Sequence, residues 1–147
     1  MRELLAVMVL FVGFSFPLSA QDTASSRPIA PFSPSVLTAD GTLYISGQLP
    51  MPESGPLITG DIKKATEQCM KNLGGLLKKH GLTYEDLVMV NIYMTDMDNY
   101  KVINEVYATF FKEGIFPARV AVQVAHLPMK AEVEISGIAK AGEKSRK

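Results

Sequence analysis

FPARVAVQVAHLP, residues 116–128, followed closely by VEI at 133–135, is the stretch whose reading decides the fold. Val120, Val122 and Val124 alternate with Arg119, Ala121, Gln123 and Ala125. A period of two with β-branched residues at alternate positions predicts a strand with one apolar face. Pro128 ends it, because proline has no N–H for a ladder. A second alternating run, Ala131 to Ala139, follows at once, and a hairpin of two adjacent strands is the expectation. Arg119 stands at the mouth of the first strand, after Pro117, and Glu134 lies inside the second, between Val133 and Ile135.

Opposite charges on neighbouring strands leave two readings open on these residues alone. One is a solvated sheet face or a structural ion pair, worth only ~0–1 kcal/mol at a surface. The other is a small anion site. A guanidinium holds a carboxylate through two parallel hydrogen bonds, and a second carboxylate nearby orients and deprotonates a water.

Working outward, the separated segments YISGQLP at 44–50, the helix opening at Asp61, INEVYATFF at 103–111, FPARVAVQVAHLP and VEISGIA occur in an order that resembles the Rid family, the YjgF-like reactive intermediate deaminases. The resemblance runs from about Ile29 to Ala139. It implies a chorismate-mutase-like α+β fold, a homotrimer with clefts between subunits, and hydrolysis of reactive 2-imino acids to 2-keto acids and ammonia. It implies Arg119 as the carboxylate anchor and Glu134 as the group that positions water and carries its proton. It also implies substrate-binding places for Ser46, Gly47, Asn104, Ala121 and Phe32. Neither an organic cofactor nor a metal is needed for that reaction, since a protonated imine is already a good electrophile.

The resemblance also marks a departure. Ile29-Ala30-Pro31-Phe32-Ser33-Pro34 falls where many Rid proteins carry a GPY-type motif, whose tyrosine reaches into a neighbouring subunit's cleft. Here Ala30 replaces the glycine and Phe32 the tyrosine, which keeps a ring and loses a hydroxyl.

Composition bounds the reading. The chain has 147 residues, 47% hydrophobic, with 15 basic and 15 acidic side chains. That suits one domain with an adequate core. A net charge of zero gives no basic footprint for nucleic acid. The single cysteine, Cys69, excludes an intramolecular disulfide, and no Cys/His spacing suggests a metal. His80 and His126 stand alone, and His80 falls near a helix C-terminus.

In chain order, residues 1–20 read as a signal peptide: Arg2, an apolar run from Leu4 to Phe16 too short to span a bilayer, then Pro17 and Ala20 before Gln21. An exported protein, periplasmic or secreted and without stable membrane association after cleavage, is the expectation. Residues 21–28 read as a flexible leader, 29–140 as the Rid-like domain and 141–147 as a polar tail.

Val36 to Ala39, a turn at Asp40-Gly41, and Thr42 to Ser46 read as a hairpin. Asp61 caps a helix whose stripe is Ile62, Ala65, Cys69, Leu73, Leu76 and Leu77, and Gly81 stops it. Gly74-Gly75 lowers helix propensity, for which close packing on the sheet is the expected reason. Thr83 to Asp86 is a capping turn, and Leu87 to Thr95 a strand with Val88, Val90, Ile92 and Met94 on one face. Asp96 or Asp98 opens a second helix with Tyr100, Ile103, Tyr107 and Phe110 on its apolar face and Gly114 at its end. The alternation argues α+β, with helices on one face of a mixed sheet.

A different class of function also fits: a non-catalytic trimer that binds small carboxylates or unfolded chains. Glu134 favours the enzyme, because carboxylate binding has no use for a second like charge beside the ligand.

Overall fold

A computed structural model describes residues 31–112 and 114–142. The expected signal peptide and leader, Ile29 and Ala30, and the tail from residue 143 lie outside the described residues.

Among the described residues five strands form one sheet: β1 (Ser35–Leu37), β2 (Thr42–Gln48), β3 (Leu87–Met94), β4 (Ala118–Gln123) and β5 (Val133–Lys140). Their spatial order is β1-β2-β5-β3-β4, antiparallel except for the parallel pair β3 and β4. The α-helices of the described residues, α1 (Ile62–Lys79) and α2 (Tyr100–Ala108), lie on one face. This is the expected α+β architecture.

The local reasons match the residues. Gly41, at φ +82°, makes the β1–β2 turn that a residue with a Cβ adopts poorly. The Asp61 carboxylate accepts from Lys64 N at 3.0 Å and caps α1. Gly81, at φ +72°, follows the helix, and its N–H reaches Lys78 O at 3.0 Å. His80 Nε2 lies 3.0 Å from Ser35 Oγ, tying the helix end to β1. Thr83 and Asp86 form the capping box.

The core sits between sheet and helices. Leu43, Leu73, Leu77, Leu87, Val90, Ile92, Met94, Ile103, Val133 and Ile135 are fully buried. Each such side chain contributes about 1.5–3 kcal/mol by leaving water. Cys69 is part of this core, where burial above all, and then the Glu134 charge, push its thiol pKa up.

Several expectations are corrected. The strands holding Arg119 and Glu134 are not a hairpin, because β3 lies between β4 and β5. Val90 pairs with Arg119 on one side and Gly137 on the other, while Tyr93 pairs with Val122 and Glu134. The cause is that α2 serves as the crossover a parallel pair requires. The chain then steps over the end of β3, where Val124 N bonds Met94 O at 2.8 Å and Thr95 N bonds Glu132 O at 3.1 Å. Within that step Met129 and Lys130 both take left-handed backbone, φ 56° and 61°.

Val120 and Val122 do share one face of β4, and it is the face away from the helices. Both stay exposed, and Arg119 and Ala121 face the helices instead. In β3 an extra residue between Leu87 and Met89 shifts the register, so Leu87 rather than Val88 is fully buried. Tyr100 is 41% exposed and Val106 takes the buried place on α2, which ends at Ala108, before Gly114.

Gly74 packs not on the sheet but against Tyr84, whose hydroxyl donates to Met70 O at 2.8 Å. A Cβ at Gly74 would come within 2.1 Å of that hydroxyl, whereas one at exposed Gly75 meets nothing within 4 Å. Adjacent alanine substitutions should therefore have opposite signs. Gly74→Ala is expected to destabilise by about 1–3 kcal/mol. Gly75→Ala should stabilise by roughly 0.5–1 kcal/mol through helix propensity. Chemical denaturation of both variants checks this, and a shift of equal sign would contradict it.

Candidate functional site

The residues expected to form one site lie in two groups on opposite faces of the sheet. The first group is built by α2 and β4. Arg119, second residue of β4, turns toward the helices, and its guanidinium carbon sits 5.0 Å from the centroid of the Tyr107 ring and 5.9 Å from that of Tyr100. Arg119 Nη2 donates to the Tyr100 hydroxyl at 3.3 Å. Such stacking suits guanidinium, which is planar and weakly hydrated. Among the described residues Arg119 makes no ion pair.

Arg119 lines a cleft of about 340 Å³ together with Asn104, Tyr107, Ala108, Phe116 and Pro117. Two buried polar atoms of its lining residues, Asn104 Oδ1 and the Tyr107 hydroxyl, have no hydrogen-bond partner among the described residues. Burial pushes the Tyr107 hydroxyl up to about 12 despite the opposing pull of the Arg119 charge. The phenol therefore stays a neutral donor. Ala121 lies two residues along β4, packed against the core, and does not line the cleft.

The second group is built by β2 and β5. Val133 and Ile135 point into the core with no exposure, so the strand pleat sends Glu134 to the face away from the helices. Opposite it β2 carries a bulge: three steps from Ile45 to Gln48 match two on β5, from Gly137 to Ile135. The Glu134 carboxylate folds over Gly47 so closely that a Cβ there would lie 1.7 Å from Oε1. Gly47 is thus a glycine for space. Burial raises the Glu134 pKa from its ordinary value, and no cation offsets the charge among the described residues.

Ser46, also in the bulge, donates its hydroxyl to Ser33 O at 2.7 Å, and its N–H bonds Pro34 O at 3.0 Å. Phe32, on that same segment, is 56% exposed.

Arg119 and Asn104 therefore line one cleft, and Glu134 meets Gly47 with Ser46 next to it in the bulge, but one chain does not bring Arg119 and Glu134 together. Sequence reading missed Tyr100 and Tyr107 as polar elements, having placed both on an apolar face. The signal was present: Tyr100, Asn104 and Tyr107 are spaced i, i+4, i+7, which puts two phenols and an amide on one side of α2.

Comparison with known proteins gives a consistent picture. Residues 23–141 match the family described as Endoribonuclease L-PSP. The chain is 40% identical over 121 residues to 2-iminobutanoate/2-iminopropanoate deaminase of Mus musculus, covering 82% of this chain and 88% of that protein. The crystal structure of the Rid family protein YyfA from Yersinia pestis superposes with a TM-score of 0.73 at 42% identity, covering 76% of this chain and 89% of the other. E. coli TdcF with bound serine gives 0.71 at 31% identity, covering 76% and 89%.

Proposed function

The chain belongs to the Endoribonuclease L-PSP family, which includes Rid and RutC proteins, and from that premise we propose that it is a homotrimeric deaminase hydrolysing small 2-imino acids to 2-keto acids and ammonia. The observation that carries the reading is a pair of charges without an ion-pair partner among the described residues, a guanidinium in a cleft on one face and a half-buried carboxylate on the other. A catalytic site using both is completed when the Glu134 group of one copy meets the Arg119 cleft of the next. The face away from the helices supports such assembly: Val36, Tyr44, Val120 and Val122 are all at least 38% exposed on it. The deaminase name of the mouse relative and the serine held by TdcF support a small substrate of amino-acid shape.

Arg119 holds the substrate carboxylate through its two-pronged donor edge. Glu134 accepts a proton from water as the water oxygen bonds to the imine carbon. The same proton passes to nitrogen, Glu134 takes the remaining proton of the new hydroxyl as the carbon–nitrogen bond breaks, and ammonia leaves as the carbonyl forms. Most of the acceleration is orientation of water against a bound electrophile. A carboxylate with a raised pKa is a stronger base for this step. Phe32 supplies a ring at the cleft without the hydroxyl of the family's tyrosine.

Steady-state deamination of imines generated in situ, with purified protein, tests the assignment. Glu134→Gln should lower turnover about 10²-fold or more while retaining 2-keto acid binding. Arg119→Lys should chiefly weaken binding, and Phe32→Tyr should raise activity on small imino acids. Because the base works only when ionised, the parent's rate should rise with pH through one carboxylate ionisation, and Glu134→Gln should lack that limb. Undiminished turnover in Glu134→Gln would leave the non-catalytic carboxylate-binding trimer as the better account. Light scattering should give three times the chain mass, and a monomer at micromolar concentration would contradict the assembly.

A further inference from the structure

The Tyr107 hydroxyl meets no hydrogen-bond partner among the described residues. It belongs to a residue only 3% exposed that borders the Arg119 cleft. Buried hydroxyls are nearly always satisfied, and an orphan one in a cleft wall calls for an explanation. Packing accounts for the ring, which lies 4.7 Å from Phe111 and beneath the guanidinium of Arg119. It does not account for the oxygen, since phenylalanine would pack the same way and leave nothing unsatisfied.

We propose that Tyr107 is a second anchor for the ligand's carboxylate, its hydroxyl donating to the anion that Arg119 holds; this rests on the deaminase reading above. A phenol beside a guanidinium is chemically suited to a carboxylate, whose oxygens accept from both at once. Arg119 is meanwhile held between the two tyrosine rings, with one Nη donating to Tyr100. The neighbouring orphan acceptor, Asn104 Oδ1, adds a place for a donor. The cleft then fits a ligand bearing an anionic acceptor and an N–H or O–H within one small skeleton, as a 2-imino acid does. The hydroxyl of Tyr107 remains protonated through the neutral range, so the contact does not titrate away there.

The test is calorimetric binding of pyruvate, an unreactive 2-keto acid, to the full chain, alongside deamination kinetics and thermal melting. Tyr107→Phe keeps the ring and removes only the hydroxyl. It should weaken pyruvate binding roughly tenfold or more and raise KM far more than it lowers kcat. Its melting midpoint should equal or exceed the parent's, because an unsatisfied buried group is gone. Parental affinity in Tyr107→Phe, or weaker binding accompanied by a lower melting midpoint, would overturn the inference. A parent that deaminates imines but binds no pyruvate would overturn the inference alone. A parent that does neither would overturn the deaminase reading as well.

Discussion

The pleat of β5 is the constraint on which the rest of the structure depends. Val133, Ile135, Gly137 and Ala139 are buried against α1 and the inner face of the sheet. Their burial leaves no freedom in where Glu134, Ser136 and Ile138 point. A one-residue slip would send the carboxylate into an apolar core and expose Val133 and Ile135, at a cost of several kcal/mol by burial alone. The same alternation, carried through β3, sets β4. Arg119 shares its row with Val90 and Gly137 on the helix side, and Val122 shares its row with Tyr93 and Glu134 on the other. Local pleating thus separates the two charges more firmly than their closeness in sequence would suggest.

Each charge is then held by a local device. For Glu134 the device is the absence of a side chain at Gly47, made available by the β2 bulge. Bulges often lie beside functional positions because they re-aim side chains without breaking the sheet. For Arg119 the device is α2, which places a phenol at either end of two helical turns around the guanidinium. The loop after β2 is steadied from below, where Asn72 Nδ2 donates to Leu49 O at 3.0 Å and to Met51 O at 2.8 Å. Rigid elements, rather than free loops, thus carry both groups.

Much of the fold was legible in the sequence, for identifiable reasons. Period-two runs, the Asp61 cap, the Asp40-Gly41 turn and the stop at Gly81 are local signals, and each element appears where its signal lies. Long-range pairing is not a local signal. The two runs around Arg119 and Glu134 looked like neighbours because they are consecutive, whereas β3 enters between them through the α2 crossover. The valines of β4 mark an apolar face, but a period of two shows only that faces differ, not which one meets the helices. At the site, Arg119 and Asn104 were readable through the family resemblance and do share a cleft. Tyr107 was not, because a tyrosine at core spacing looks like any buried aromatic until its hydroxyl is found without a partner among the described residues.

If Arg119 and Glu134 act together, they must come from different copies of the chain. The most direct test mixes two inactive variants, Arg119→Ala and Glu134→Gln, by dissociation and reassembly, and measures imine deamination in the mixture. In a randomly assembled cyclic trimer about a quarter of the subunit junctions would join an intact Arg119 to an intact Glu134. The account predicts recovery of about a quarter of the parent's activity. A mixture that reassembles into trimers but stays as inactive as its components would contradict it.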